Sequence, residues 1–271
     1  MDNRPIGFFD SGLGGLTSIP HLFNALPNER VIYFGDTART PYGSKAVSTI
    51  RQYSTQIADF LVSQDVKMLV IACNTISATC LDELRSKISD IPIVGIINPA
   101  ADRIASECDQ DNRIGIIGTK VTVSSGVYRD RIKKLNPILK VFDKATPAFV
   151  PLIEEGIIEN EIMDLTIHHY MDDFISQNHI DTLVLGCTHY PIIRKNIERI
   201  YPSLNIINPS YEIIGSIAQI LKDKDNLAGE DNNRENVFYA SDLSENFSNM
   251  IYKILETEKS NLILKFKNLD L

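Results

Sequence analysis

Two cysteines stand at matched positions in a chain of 271 residues. Cys73 ends the apolar run Met68-Leu69-Val70-Ile71-Ala72 and is followed by Asn74-Thr75. Cys187 ends the run Leu183-Val184-Leu185-Gly186 and is followed by Thr188-His189-Tyr190-Pro191. Each reads as a buried strand that delivers a thiol to a turn at its C-terminal end, where open α/β sheets bind ligands. A single such cysteine could be a nucleophile or merely buried, as free cysteines commonly are. Two thiols facing each other across a cleft suit a different task. One removes a proton from a carbon, and the other, still protonated, returns a proton to the opposite face. The reaction that needs both is inversion at carbon, a racemisation or an epimerisation.

Each thiol needs a neighbour to hold or shuttle its proton. Asp10, at the end of Ile6-Gly7-Phe8-Phe9-Asp10, is the candidate beside Cys73, with a turn-forming role before glycines as the alternative. His189 is the candidate beside Cys187, because imidazole titrates near neutrality, with a place in the turn that opens a helix as the lesser alternative. Glu154, in Pro151-Leu152-Ile153-Glu154-Glu155-Gly156, is a third acidic candidate, though taken alone it reads as part of a charged helix face. His168 and His169 fall in an amphipathic pattern and read as surface residues, and Cys80 and Cys108 lie in helical stretches as ordinary buried cysteines. The turn Ser11-Gly12-Leu13-Gly14-Gly15 lacks the third glycine of a dinucleotide fingerprint, where Thr17 stands, and no P-loop lysine follows. Its amides could hold a small anion such as a carboxylate. Ser11, the Tyr42-Gly43 turn, Asn74, Thr75 and Thr188 add neutral donors at the same end of the sheets, a set suited to an amino-acid zwitterion with an extra carboxylate.

These residues need a scaffold that presents both thiols alike, and the sequence repeats itself accordingly. Ile114 to Thr119 mirrors Ile6 to Ser11, Val141-Phe142-Asp143 mirrors the strand ending at Asp36, Asp181 to Thr188 mirrors Lys67 to Asn74, and Ile206-Ile207-Asn208-Pro209 mirrors Ile96-Ile97-Asn98-Pro99. Four matches in one order predict two similar halves. Strands alternating with helical patterns predict α/β architecture: two pseudo-symmetric doubly wound domains with mainly parallel sheets and the site in the cleft between them. Helices are expected to about Leu26, over about 44–64 with apolar Val47, Ile50, Ile57, Phe60 and Leu61, and from Cys73 to about Lys87. The polar stretch Lys222 to Glu235 reads as a loop, Asn236 to Ala240 as a strand, and Asp242 as the cap of a helix to about Glu256. The chain after about Asn208 is expected to return to the first domain, giving 1–97 plus 208–271 and 98–207. Ile263 to Leu271 mixes apolar and charged positions and fits no element clearly.

Bulk properties narrow the function classes. The net charge of −8 argues against a general nucleic-acid binder. No apolar run approaches a membrane span, and no signal peptide is expected before Asp10, so a cytoplasmic protein is expected. The four cysteines have no CxxC spacing, so neither a zinc site nor a disulfide framework is expected.

The motifs together resemble the glutamate racemases of the aspartate/glutamate racemase family. The markers are Asp10 to Gly15, Gly35-Asp36-Thr37-Ala38-Arg39-Thr40-Pro41-Tyr42-Gly43, Ala72 to Thr75, Pro151 to Gly156 and Gly186 to Pro191. The resemblance implies a cofactor-independent enzyme that makes D-glutamate for bacterial peptidoglycan. It implies that Cys73 works on the D-glutamate face and Cys187 on the L-glutamate face, assisted by Asp10, Glu154 and His189. Substrate contacts are implied at Asp10, Ser11, Tyr42, Gly43, Asn74, Thr75, Thr188 and His189, with L- or D-glutamate as partner, no metal, and a homodimer. Aspartate or a hydantoin as substrate, and a two-domain anion-binding protein without catalysis, stand as the alternatives.

Overall fold

The computed structural model describes residues 1–230, 235–243, 245–255 and 262–269. Among the described residues ten strands form two sheets, and every strand pair in them is parallel. The first sheet holds β1 (Ile6–Asp10), β2 (Val31–Gly35), β3 (Met68–Ile71), β4 (Ile93–Gly95), β9 (Asn236–Ala240) and β10 (Leu262–Phe266), in the order β10-β9-β2-β1-β3-β4. The second holds β5 (Arg113–Gly118), β6 (Lys140–Ala145), β7 (Thr182–Gly186) and β8 (Asn205–Ile207), in the order β6-β5-β7-β8. In each sheet the order reverses beside the first strand, between β1 and β3 and between β5 and β7. Such switch points leave a crevice at the strands' C-terminal ends, and Cys73 and Cys187 follow β3 and β7.

Parallel strands covered on both faces read as continuous apolar runs. β1, β2, β3 and β7 are buried throughout. Alternation then divides their side chains between faces. Ile6, Phe8, Met68, Val70, Ile114, Ile116, Val184 and Ile207 join one apolar cluster that both sheets share. Phe9, Leu69, Ile71 and Cys73 face a cluster under α2 (Val47–Ser63) and α3 (Asn74–Lys87), while Leu183, Leu185 and Cys187 face one under α7 (Phe149–Glu154) and α8 (Glu161–Asn178). The two cysteines therefore occupy the same face of equivalent strands. Helix α2 buries Ile50, Ser54, Ile57, Ala58 and Leu61 at helical spacing, whereas Val47 is 41% exposed.

The internal repeat holds with two shifts of register. Asp36 N–H donates to Asp10 O (3.2 Å) and Thr146 N–H donates to Gly118 O (2.9 Å), so the second-half counterpart of Asp36 is Thr146. Asp143 instead lies within β6, paired with Ile116, and its carboxylate meets Arg129. Likewise Val94 pairs with Val70 and Ile207 with Val184, so Ile207 corresponds to Val94. Ile96 and Ile97 end β4 and open α4 (Ile97–Glu107), whereas Ile206 and Ile207 are strand and Asn208 caps α10 (Pro209–Asp223) by accepting Ser210 N–H at 3.1 Å. Local likeness of "Ile-Ile-Asn-Pro" outvoted strand pairing in the sequence reading.

The return of the chain adds β9 and β10 to the first sheet. β10 covers residues that fit no element by sequence, because Lys265 and Phe266 break the buried-strand pattern at a sheet edge, where charge is normal. α11 spans Glu245–Leu255, three residues beyond Asp242, whose backbone is bonded to Thr37 Oγ1 instead; Glu256, the expected helix end, lies outside the described residues. Cys108 is the residue that ends α4. At the opposite end of the first sheet, Lys67 and Glu29 form a buried ion pair at 2.7 Å, and Lys67 Nζ also donates to Asp2 O and Asn226 O. No helix among the described residues is long and apolar enough to cross a membrane.

Candidate active site

The C-terminal ends of the two sheets enclose a narrow cavity of about 20 Å³, room for about one water molecule. Its lining includes both Cys73 and Cys187, together with Ser11, Asn74, Thr75, Thr188 and His189. The Thr40-Pro41-Tyr42-Gly43 stretch closes one side, and Thr119 and Val150 complete it. Both cysteines are reduced.

The two sheets meet here through reciprocal contacts. In the first half, the turn after β1 packs on the Cys187 turn: Thr188 Oγ1 donates to Asp10 Oδ1 (3.2 Å) and Thr17 Oγ1 donates to Thr188 O (3.3 Å). The approach is so close that a Cβ on Gly14 would overlap Thr188 Oγ1 and stand 2.7 Å from His189 Nδ1. In the second half, the turn after β5 packs on the Cys73 turn. Thr119, Thr122 and Thr75 form a hydroxyl triangle with sides of 3.0, 3.0 and 3.3 Å. A Cβ on Gly43 would overlap Thr119 Cβ. Gly14 and Thr122, like His189 and Thr75, are repeat counterparts, so the docking follows the internal symmetry.

The surroundings of the two thiols break that symmetry. Cys73 precedes the 14-residue helix α3, and its sulfur lies 3.5 Å from Ser11 Oγ. Burial pushes the thiol up, the Asp10 charge adds to this, and the Ser11 hydroxyl and the Ile76 N–H pull the other way. Cys187 is followed by a short 3-10 turn at Tyr190–Ile193 and then by the seven-residue α9 (Arg194–Ile200). Its sulfur lies 3.8 Å from His189 Nδ1, and His189 Nε2 lies 3.1 Å from Glu154 Oε1. Burial works to lower the histidine, yet its bonds to Cys187 and Glu154 outweigh this and raise it to about 10. Glu154 thus stands behind His189, on α7, and also accepts a bond from Thr40 Oγ1 at 3.4 Å.

Asp10 is near enough to Cys73 for its charge to raise the thiol, yet its hydrogen bonds run elsewhere. It is fully buried behind the cavity wall, and its Oδ2 accepts the Gly12 N–H (3.0 Å) of the following turn. Gly15 adds a second backbone donor. The turn does hold a carboxylate, but that carboxylate is its own. Burial raises Asp10, opposed by the His189 charge, the turn amides and Thr188. Tyr42 lines the cavity, but its hydroxyl is committed to Asp36, which also binds Arg39 (2.7 Å) and Ser241 (2.7 Å). Only the backbone of the Tyr42-Gly43 turn is left for a ligand. His168 is on the surface, paired with Asp172 at 3.0 Å. The sequence reading did not single out Thr40, Val150 or Tyr128. Thr119 carried a signal, as the repeat counterpart of Ser11.

Comparison with known proteins follows the same lines. The family model "Asp/Glu/Hydantoin racemase" matches residues 17–211. A glutamate racemase of Geobacter metallireducens is 43% identical over 91% of this chain and 91% of its own, and one of Sulfurihydrogenibium is 41% identical over 95% and 97%. Among solved structures, the Francisella tularensis glutamate racemase in complex with D-glutamate superposes with a TM-score of 0.92 at 38% identity. The match covers 100% of this chain and 99% of that one.

Proposed function

The chain belongs to the Asp/Glu/hydantoin racemase family, and we propose that it interconverts L- and D-glutamate with two thiols, one removing the Cα proton and the other delivering its own proton to the opposite face, without a cofactor. One observation carries this reading: Cys73 and Cys187, delivered by equivalent strands of two sheets, line a single cavity.

The asymmetry of the site supports unequal starting roles. With His189 raised to about 10, an imidazolium stands 3.8 Å from the Cys187 sulfur at neutral pH, and Cys187 is taken as the base toward L-glutamate. Burial keeps Cys73 as the thiol, the acid. Cys187 takes the Cα proton of L-glutamate on one face, and the bonding pair stays on carbon. Cys73 gives its proton to the opposite face, leaving D-glutamate, a Cys73 thiolate and a Cys187 thiol. The reverse reaction, or proton exchange with solvent, restores the start. The intermediate carries negative charge next to a carboxylate, so fixed donors must hold that charge without reorganising. Ser11, Asn74, Thr75, Thr188 and the Tyr42-Gly43 backbone are the contacts proposed for substrate. Asp10 acts from behind, by fixing the turn that carries Ser11 and by orienting Thr188. Glu154 acts through His189.

Glutamate is favoured over aspartate and hydantoins by the relatives, which are glutamate racemases over nearly their whole length. The segments 1–97 plus 208–271 and 98–207 are proposed as the lobes whose closure excludes water. The resemblance extends the reading to a cytoplasmic homodimer that supplies D-glutamate to peptidoglycan. The test is direct. Purified protein is incubated with L-glutamate in D2O with no added cofactor, aspartate serving as control, and optical rotation and Cα deuterium are followed. Loss of rotation with deuterium uptake is expected for glutamate. Unchanged rotation and no uptake would contradict the reading and leave the binding-protein alternative.

A further inference from the structure

Asn74 is the first residue of α3, directly after Cys73, and it is 2% exposed. Its amide has two ends with different fates. Oδ1 accepts a hydrogen bond from Tyr128 Oη at 2.6 Å. Nδ2 is buried with no hydrogen-bond partner among the described residues, and Asn74 lines the cavity that both cysteines line. An unmet buried donor is costly unless something accepts from it in the working state.

Tyr128 comes from the other half of the molecule, on α6 (Val127–Leu135), and is itself fully buried in the apolar cluster that both sheets share. Its ring is held by that packing and its hydroxyl reaches across to α3. Burial also raises it, so it remains a phenol and keeps its proton to donate. A phenol that donates to Oδ1 leaves the amide one orientation, with Nδ2 as its free end. Turned over, the amide would donate to the phenol oxygen and face the cavity with Oδ1, an acceptor that cannot bind a carboxylate.

We infer that Tyr128 is a positioning residue for this racemase: by donating to Asn74 Oδ1 from the opposite half, it aims Asn74 Nδ2 at a carboxylate of the bound amino acid. The inference rests on the reading of Asn74 as a substrate contact. Because the bond joins the two halves, the amide is aligned only while they stand as they do here.

The test is a double-mutant cycle with Tyr128→Phe and Asn74→Ala, assayed as KM and kcat for both enantiomers, with thermal unfolding of each variant. Tyr128→Phe removes one oxygen and keeps the buried ring. It is expected to raise KM about tenfold, roughly what one hydrogen bond to a charged group contributes, with kcat changed less than threefold. Asn74→Ala is expected to raise KM at least as much. In the Asn74→Ala background, Tyr128→Phe is expected to add less than twofold, since the phenol then has nothing to aim. Asn74→Ser takes the place of the alanine variant should that one not fold. A Tyr128→Phe effect of the same size in both backgrounds would overturn the inference, since the phenol would then act by structure alone. An unchanged KM in Tyr128→Phe beside a raised KM in Asn74→Ala would overturn it too. An unchanged KM in Asn74→Ala would remove the substrate contact itself, and the inference with it.

Discussion

Cys73 and Cys187 sit at repeat-equivalent positions, yet under the proposed scheme the chain handles their protons by different means. Around Cys73 the means are backbone and burial: a 14-residue helix starts at the next residue, a serine hydroxyl lies 3.5 Å away, and the thiol is pushed up. Around Cys187 they are side chains: a histidine at 3.8 Å, itself backed by a carboxylate at 3.1 Å. A duplicated scaffold supplies two thiols at equal standing. The proposed two-thiol reaction needs one base and one acid at rest, and the unequal surroundings would supply that difference. The second half could not reuse the helix, since only a short 3-10 turn follows Cys187. The His189–Glu154 pair stands there instead.

The largest effect should come from removing either thiol. Cys73→Ser and Cys187→Ser are each expected to lose about 10³-fold or more in turnover, within the range of general acid–base catalysis. Full activity in either would end the two-thiol scheme. Next, His189→Asn is expected to cost about 100-fold in kcat/KM, while Ser11→Ala, on the other side, costs only a few fold. Because enantiomers have an equilibrium constant of one, kcat/KM falls equally in both directions, so the two sides are told apart by size and by pH dependence. Equal losses at His189 and Ser11 would mean that the asymmetry has no catalytic weight.

Glu154→Gln sharpens the same contrast. Glu154 helps to raise His189, so its loss should move the basic limb of the rate profile down by about one pH unit. The sign for stability follows from the same shift. His189 is raised from 6.5 to about 10 in the fold, so its bond to Glu154 contributes fully below pH 6.5 and is lost as pH rises through 10. Wild type should therefore exceed Glu154→Gln in stability by about 2 kcal/mol near pH 6, a gap that narrows between pH 7 and 10 in thermal unfolding. A constant gap would show that His189 does not titrate in that window.

The smallest expected differences concern the two docking contacts. Gly14→Ala would press on Thr188 side chain and backbone, whereas Gly43→Ala would press only on the Thr119 side chain. Overpacking costs about 1–3 kcal/mol, and Gly14→Ala should lie at the upper end, with a larger rise in KM. The reverse order would mean that the Cys73-side contact is the stiffer one.

Much of this arrangement was legible in the sequence, because apolar strands ending in a cysteine, a small polar pair and a helix start are local features. Cys73, Cys187, His189 and the parallel sheets follow from them. What was not legible depends on pairing or on contact between halves. Asp36 and Asp143 look alike in sequence, but only strand register shows that Thr146 is the counterpart of Asp36. Asp10 reads as a partner for Cys73, yet its hydrogen bonds run to its own turn and to Thr188. Glu154 reads as a helix surface until α7 brings it to His189. Nothing in the sequence around Tyr128 points to Asn74.

The central claim is that each face of the substrate has its own single-proton base. It is tested most directly by starting the reaction with L-glutamate in D2O and sampling both enantiomers at the earliest turnovers. Cys187 keeps the proton it has removed, and Cys73 delivers one that came from solvent. The D-glutamate formed should carry deuterium at Cα while the remaining L-glutamate does not, and starting from D-glutamate should reverse the pattern. Equal labelling of substrate and product from the first turnovers would show one base serving both faces and would contradict the account.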